Sequence, residues 1–115
     1  MANTFKQISK AGVTSSDVIY TVAGSTTTVV LGLIIGNTQS SAITVTLTIS
    51  TDTSNRSGAN NEDNQPVELL TATSIPANSS LEVLAGNKIV LETTDVINLT
   101  ASAAADISIS VMEIT

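Results

Sequence analysis

Cysteine, histidine and tryptophan are absent from this sequence, and its aromatic residues stop at Phe5 and Tyr20. Without cysteine there are no disulfides and no thiolate nucleophile. Without histidine the imidazole bases and the usual zinc and iron ligands are gone as well. A nucleophilic serine would then depend on a lysine, and no S-x-x-K spacing occurs. Gly24, Gly32, Gly36, Gly58 and Gly86 fit no phosphate-cradling pattern. No catalytic residue, metal ligand or cofactor is expected, and the chain reads as a non-enzyme.

Positive charge is scarce. Lys6, Lys10, Arg56 and Lys88 stand against ten acids, for a net charge of −6. Four scattered cations make no basic patch to neutralise phosphates, which excludes nucleic acid as a direct partner. The longest apolar run, Val29 to Ile35 with Gly32 inside it, falls far short of the roughly 20 residues of a spanning helix, so no membrane role is expected. The opening "MANTFKQISKAGVTSSD" lacks the apolar stretch of a secretory signal, and no targeting is expected from it. The N-x-[ST] triplets at Asn55, Asn78 and Asn98 accordingly read as chance matches in a chain rich in Asn, Ser and Thr.

The acids that are present, Asp17, Asp52, Glu62, Asp63, Glu68, Glu82, Glu92, Asp95, Asp106 and Glu113, sit beside turns or at outward strand positions and read as solvated surface charge. Oxygen ligands are densest across Asp52, Asn55, Asn60, Asn61, Glu62, Asp63 and Asn64. That cluster misses the EF-hand spacing, with Arg56 where a ligand belongs and Ser57 where glycine is needed. It reads as a polar surface loop.

What fills the chain is serine and threonine, 33 of 115 residues, interleaved with Val, Ile and Leu. Alternation of this kind marks ordered strands and not a disordered tail. Between Tyr20 and Ser50 there is no charge at all. Inside that stretch "AITVTLTIS" puts Ile43, Val45, Leu47 and Ile49 on one face and Thr44, Thr46 and Thr48 on the other. "DVIYTV" reads as a short strand and "TTTVVLGLIIGN" as a central one covered on both faces. Gly32 and Gly36 there mark a bend or a close backbone approach.

"TDTSNRSGANNEDNQP" is a long polar loop. Beyond it "VELLTA", a strand from Leu81, a Gly86-Asn87 turn, a strand from Lys88 to Glu92, another from Val96 and a last one over "ADISISVMEI" complete about eight strands. At Met112 and Ile114 the apolar phase flips, which predicts a β-bulge or burial on both faces. Residues 1–16 show neither period and read as an extended N-terminal arm, leaving 17–115 as one domain. The expected fold is all-β, an antiparallel β-sandwich of immunoglobulin-like or jelly-roll-like type.

Two segments carry a resemblance. "VIYTVAGSTTTVVLGLIIGNTQSSAITVTLTI" and "SIPANSSLEVLAGNKIVLETTDVINLTASAAADISISVMEIT" resemble the opening and closing halves of small β-sandwich virion proteins of tailed bacteriophages, of the marine and cyanobacterial type. The likeness lies in turn-and-strand patterns over about two thirds of the chain. Ala23-Gly24 stands where that pattern favours Pro-Ala, and Thr94 stands where it favours a glycine before Asp95.

The resemblance implies a non-enzymatic virion structural protein, self-associating and attached to the particle as a capsid decoration subunit, with the major capsid protein or neck and tail proteins as neighbours. Its alternatives are a neck or tail subunit, or a carbohydrate- or host-receptor-binding module using the loop from Thr51 to Pro66. Phe5, Ile8, Tyr20, Thr44, Thr46, Thr48, Met112 and Ile114 are the candidate interface residues. Uncharged strand surfaces do not repel an identical neighbour.

Overall fold

The structure, a computed structural model, describes residues 2–51, 66–84 and 87–115. Among them run nine strands and no helix: β1 (Asn3–Val13), β2 (Asp17–Thr21), β3 (Thr27–Asn37), β4 (Ile43–Ser50), β5 (Pro66–Ile75), β6 (Ser80–Glu82), β7 (Ile89–Leu91), β8 (Val96–Ala101) and β9 (Ala105–Ile114). They form two antiparallel sheets. Sheet A runs β1-β9-β3-β6 with β7 also paired to β3, and sheet B runs β2-β8-β4-β5. The all-β antiparallel sandwich expected from the alternating residues is the fold observed. The oxygen-rich cluster from Asp52 to Asn64, the rest of the loop between Thr51 and Pro66, and Gly86 of the expected Gly86-Asn87 turn lie outside the described residues.

The core sits between the sheets and is aliphatic apart from Tyr20. Sheet A contributes Val30, Leu33, Ile35, Leu91, Ile107, Ile109 and Val111; sheet B contributes Ile43, Val45, Leu47, Ile49, Ile97 and Leu99, and all are buried. Each set occupies every second position of its strand, as the pleat requires. The Thr44, Thr46 and Thr48 face of β4 turns outward as expected, Thr44 exposed and the other two half-buried.

The segment expected to be an arm is instead β1, an eleven-residue edge strand paired with β9 from Asn3↔Ile114 to Val13↔Ala105. Its sequence hides the strand because its inward positions are Thr4, Lys6, Ile8 and Lys10. Only Ile8 among them packs against the core, while Lys10 reaches Asp17 and Lys6 reaches Glu113. Inward-pointing lysines are a device that protects a sheet edge from pairing with a stray strand. Gly12 at φ +70° supplies the left-handed kink beside the register shift between Lys10 and Val13, and Val13 is thereby returned to the core.

Two further expectations are corrected. β3 is hydrogen-bonded along both edges, yet only one of its faces is covered, and Ile34 on the other is 44 % exposed. The phase flip near the C-terminus is neither a bulge in β9 nor double burial. β9 keeps its register against β1, Glu113 turns inward, and Met112 and Ile114 lie half-buried on the outer face. The bulge is in β3, between Val30 and Gly32.

Candidate functional site

Among the described residues the outer face of sheet A exposes Phe5, Ile34 and Val90, while Val18, Val67 and Leu69 are exposed on the β2 and β5 strands of sheet B. Directly opposed residues of antiparallel strands share a face. The register therefore lines up Phe5, Met112, Val29 and Val90 as one row across β1, β9, β3 and β7. Phe5 is 73 % exposed and Val90 58 %. Along the strands the next row is Gln7, Ser110 and Gly32, followed by Ser9, Ser108, Ile34 and Glu82. Beyond that lie Asp106 and Gly36.

The same face has relief. A shallow, largely apolar hollow of about 470 Å³ opens over Gly36, Ile34, Ser9, Ala11 and Ser108, with the β9 backbone at Asp106 and Ile107 as its floor. A second, of about 270 Å³, lies on the other side of Ile34 over Gly32 and Ser110. Both exist because these positions carry small residues. A Cβ placed on Gly32 would meet nothing within 4 Å, and one on Gly36 only the Asp106 carbonyl at 3.9 Å. Neither glycine is demanded by a positive φ.

Of the candidate interface residues, Phe5, Met112 and Ile114 share this face. Thr44, Thr46 and Thr48 lie on the opposite side of the molecule, on the outer face of sheet B. There the Thr46 hydroxyl oxygen accepts from the Ala72 amide at 3.0 Å. Ile8 faces inward and packs against the core. Tyr20 is removed from the interface set altogether. It is 9 % exposed, and its hydroxyl donates to Glu113 Oε2 at 2.5 Å while taking the Thr28 hydroxyl at 2.8 Å. Sequence reading assigned it to the surface as the main body's aromatic; in the fold it is the bulky filler at one end of an aliphatic core.

Around Tyr20 the charges are closed among themselves. Lys6 Nζ lies 2.8 Å from Glu113 Oε1, and the Glu113 side chain is 13 % exposed. Burial, followed by the hydrogen bond to the Glu113 carboxylate, pushes the Tyr20 hydroxyl up to about 12. The bonds from Lys6 and then Tyr20 hold Glu113 below the ordinary carboxylate range. This is a buttress joining β1, β2, β3 and β9. Tyr20, Thr28, Glu113 and Lys6 are bonded to one another, and the Lys6 side chain alone extends to the surface, 53 % exposed.

Asn37 is a second polar tie that the sequence did not signal. It is buried, its side-chain amide donates to the carbonyls of Ser41, Ile75 and Pro76 at 2.9–3.0 Å, and its Oδ1 accepts from the Gln39 amide at 2.8 Å. It joins the end of β3 to the chain leaving β5. The turn before β8 carries Thr94 at φ +68°, the conformation for which glycine is favoured, with its amide bonded to the Val22 carbonyl at 3.0 Å. Among the described residues no group of three acidic side chains is placed to hold a metal ion, and no helix is long and apolar enough to cross a membrane.

No known protein family matches the chain, and no curated protein does. The fold is similar to a solved structure of Bacillus endospore appendages, described as a novel family of disulfide-linked pili. The TM-score is 0.51 at 14 % identity, covering 99 % of this chain and 87 % of that one. At that identity the likeness is one of fold.

Proposed function

We propose that this chain is a non-enzymatic structural subunit that associates with copies of itself and is carried on a tailed-bacteriophage particle, as a capsid decoration subunit. The observation that carries the reading is the outer face of sheet A, where Phe5, Met112, Val29 and Val90 form an apolar row on which no second sheet packs among the described residues. An uncovered patch of this kind on a small sandwich is a contact surface. The resemblance of the two long segments to small phage virion proteins supports the kind of particle. The pilus subunits of similar fold show that a sandwich of this shape serves in an assembled appendage. Those pili are disulfide-linked, whereas these 115 residues hold no cysteine, so the contacts proposed here are non-covalent.

A neck or tail station is the second reading, and subunit stoichiometry separates the two. The receptor- or carbohydrate-binding alternative loses its main-body aromatic, because Tyr20 is engaged inside the sandwich. The deciding experiment is peptide mass spectrometry on particles purified through a density gradient, combined with light scattering of the isolated chain. Co-purification at a fixed ratio to the major capsid protein, together with a discrete oligomer in solution, is the expected result. A chain absent from particles and monomeric in solution overturns the proposal.

A further inference from the structure

We infer that the outer face of sheet A pairs with the same face of a second copy, the strands running oppositely, so that each Phe5 lies over the other's hollow above Ser9 and Gly36. The inference rests on the self-association just proposed and names its surface.

Three observations carry it. The first is the pair of glycines. Glycine in a strand interior weakens the strand by roughly 0.5–1 kcal/mol relative to alanine, and it recurs where another backbone or ligand comes close. The bulge between Val30 and Gly32 accounts for the first of them. Nothing inside the molecule accounts for Gly36: its φ is not positive, and an added Cβ would find only an ordinary contact at 3.9 Å. The missing side chain is needed by something outside.

The second is self-complementary relief. The row led by Phe5 and Met112 and the row of Ser9 and Ser108, which continues through Ile34 and Glu82, lie symmetrically on either side of the Gln7, Ser110 and Gly32 row. A two-fold axis along that middle row sets Phe5 and Met112 over Ser9 and Ser108 on both copies at once, with Val29 over Ile34 and Val90 over Glu82. This is the isologous geometry of a symmetric dimer, with two sheets stacked face to face at about 10 Å. The four strands by five rows present a face of roughly 600 Å² per copy from the ordinary strand spacing and rise. Two such faces together reach about 1,200 Å², the lower bound for a specific interface.

The third is charge. A chain of net charge −6 repels its own copies over most of its surface. The rows from Asn3 and Ile114 to Ser9 and Ile34 carry no ionised side chain on β1, β9 and β3, with Glu82 of β6 at the edge of the last row. Asp106 at the far row is tied back by the Gly12 amide at 3.0 Å. Contact through this face brings together few like charges, Glu82 and Asp106 being the acids on it, and added salt should strengthen it by screening them.

The test is sedimentation velocity of the full chain over about three decades of concentration, in low and moderate salt, against Gly36→Tyr and Phe5→Ser. Tyrosine suits a strand and projects into the open hollow, so Gly36→Tyr should keep or raise the urea midpoint measured on the dilute monomer. Circular dichroism checks that both variants fold. The expected result is a wild-type dimer that tightens with salt and dissociates at least about tenfold more readily in each variant. A wild-type oligomer whose mass neither substitution changes would overturn this inference and leave self-association standing through another surface. A monomer at every concentration overturns both. A monomer whose attachment to particles is lost in Gly36→Tyr also overturns it, since the occupant of the face would then be a different protein.

Discussion

Tyr20 shows how much one side chain settles when a core has no other aromatic. Its ring fills the space between β2 and sheet A, and its hydroxyl has to be satisfied there because burial without a partner costs about 1–3 kcal/mol. Thr28 and Glu113 provide that satisfaction. The chain has one tyrosine and no tryptophan, so absorbance near the phenolate band reports Tyr20 alone. Its ionisation is expected near the value of about 12, against an ordinary 10.0. A group whose folded pKa is raised contributes stability that is complete below its unfolded pKa and is lost as pH rises through the folded one. Stability should therefore decline from about pH 10 upward, and Tyr20→Phe should remove that decline while costing about 1–3 kcal/mol at neutral pH. The sign at Glu113 is opposite: its depressed pKa contributes stability present above the ordinary carboxylate range and lost as pH falls through its folded value. An alkaline titration with an ordinary Tyr20 midpoint would refute the buttress.

At the scale of the element, β1 is the instructive case. It covers the edge of β9, carries Lys6 and Lys10 across to Glu113 and Asp17, and delivers Ile8 and Val13 to the core. A detachable arm could be cut away with no effect on stability. Removing residues 1–13 should instead lower the urea midpoint substantially and promote aggregation through the bared β9 edge, as measured by equilibrium unfolding and light scattering. Asn37 plays the corresponding part at the other end of sheet A. Asn37→Ala unpairs the buried Ile75 carbonyl and two others, and should cost about 2–3 kcal/mol in the same unfolding assay.

For the whole molecule the order of strands matters more than their number. β1 pairs with β9, β3 lies between β9 and the short β6 and β7, and β8 separates β2 from β4, so few neighbours in space are neighbours in sequence. Such pairings close long loops before they gain contacts, and folding is expected in the millisecond-to-second range by stopped flow, slower than helical domains of this size. The two outer faces then differ in make-up: Thr44, Thr46, Thr48 and Asn98 line sheet B with Val18 beside them, while sheet A exposes the row of Phe5 and Val90, and Ile34.

The class of fold was legible before any coordinates, because a period of two is a local property: Ile43, Val45, Leu47 and Ile49 against Thr44, Thr46 and Thr48 can be assigned to inner and outer faces from spacing alone. The absence of cysteine and histidine was likewise fixed by composition. What spacing cannot carry is which strand lies beside which, and each misreading comes from that. β1 has no apolar period because lysines fill two of its inward positions; Lys10 finds Asp17 on the next strand, and Lys6 finds Glu113 at the far end of the chain. The apolar outer positions of β3 imply a second covering layer only if one exists; none does among the described residues, and Ile34 becomes surface. Tyr20, Glu113 and Lys6 meet across 107 residues of chain, and Phe5 meets the Met112 and Val29 row only once β9 lies between β1 and β3. Sequence by itself determined that there would be strands, a sandwich and an aliphatic core, since pleat and burial act residue by residue. Tertiary structure alone decided the uncovered face, because a surface exists only when the chain's own strands leave it without a neighbour.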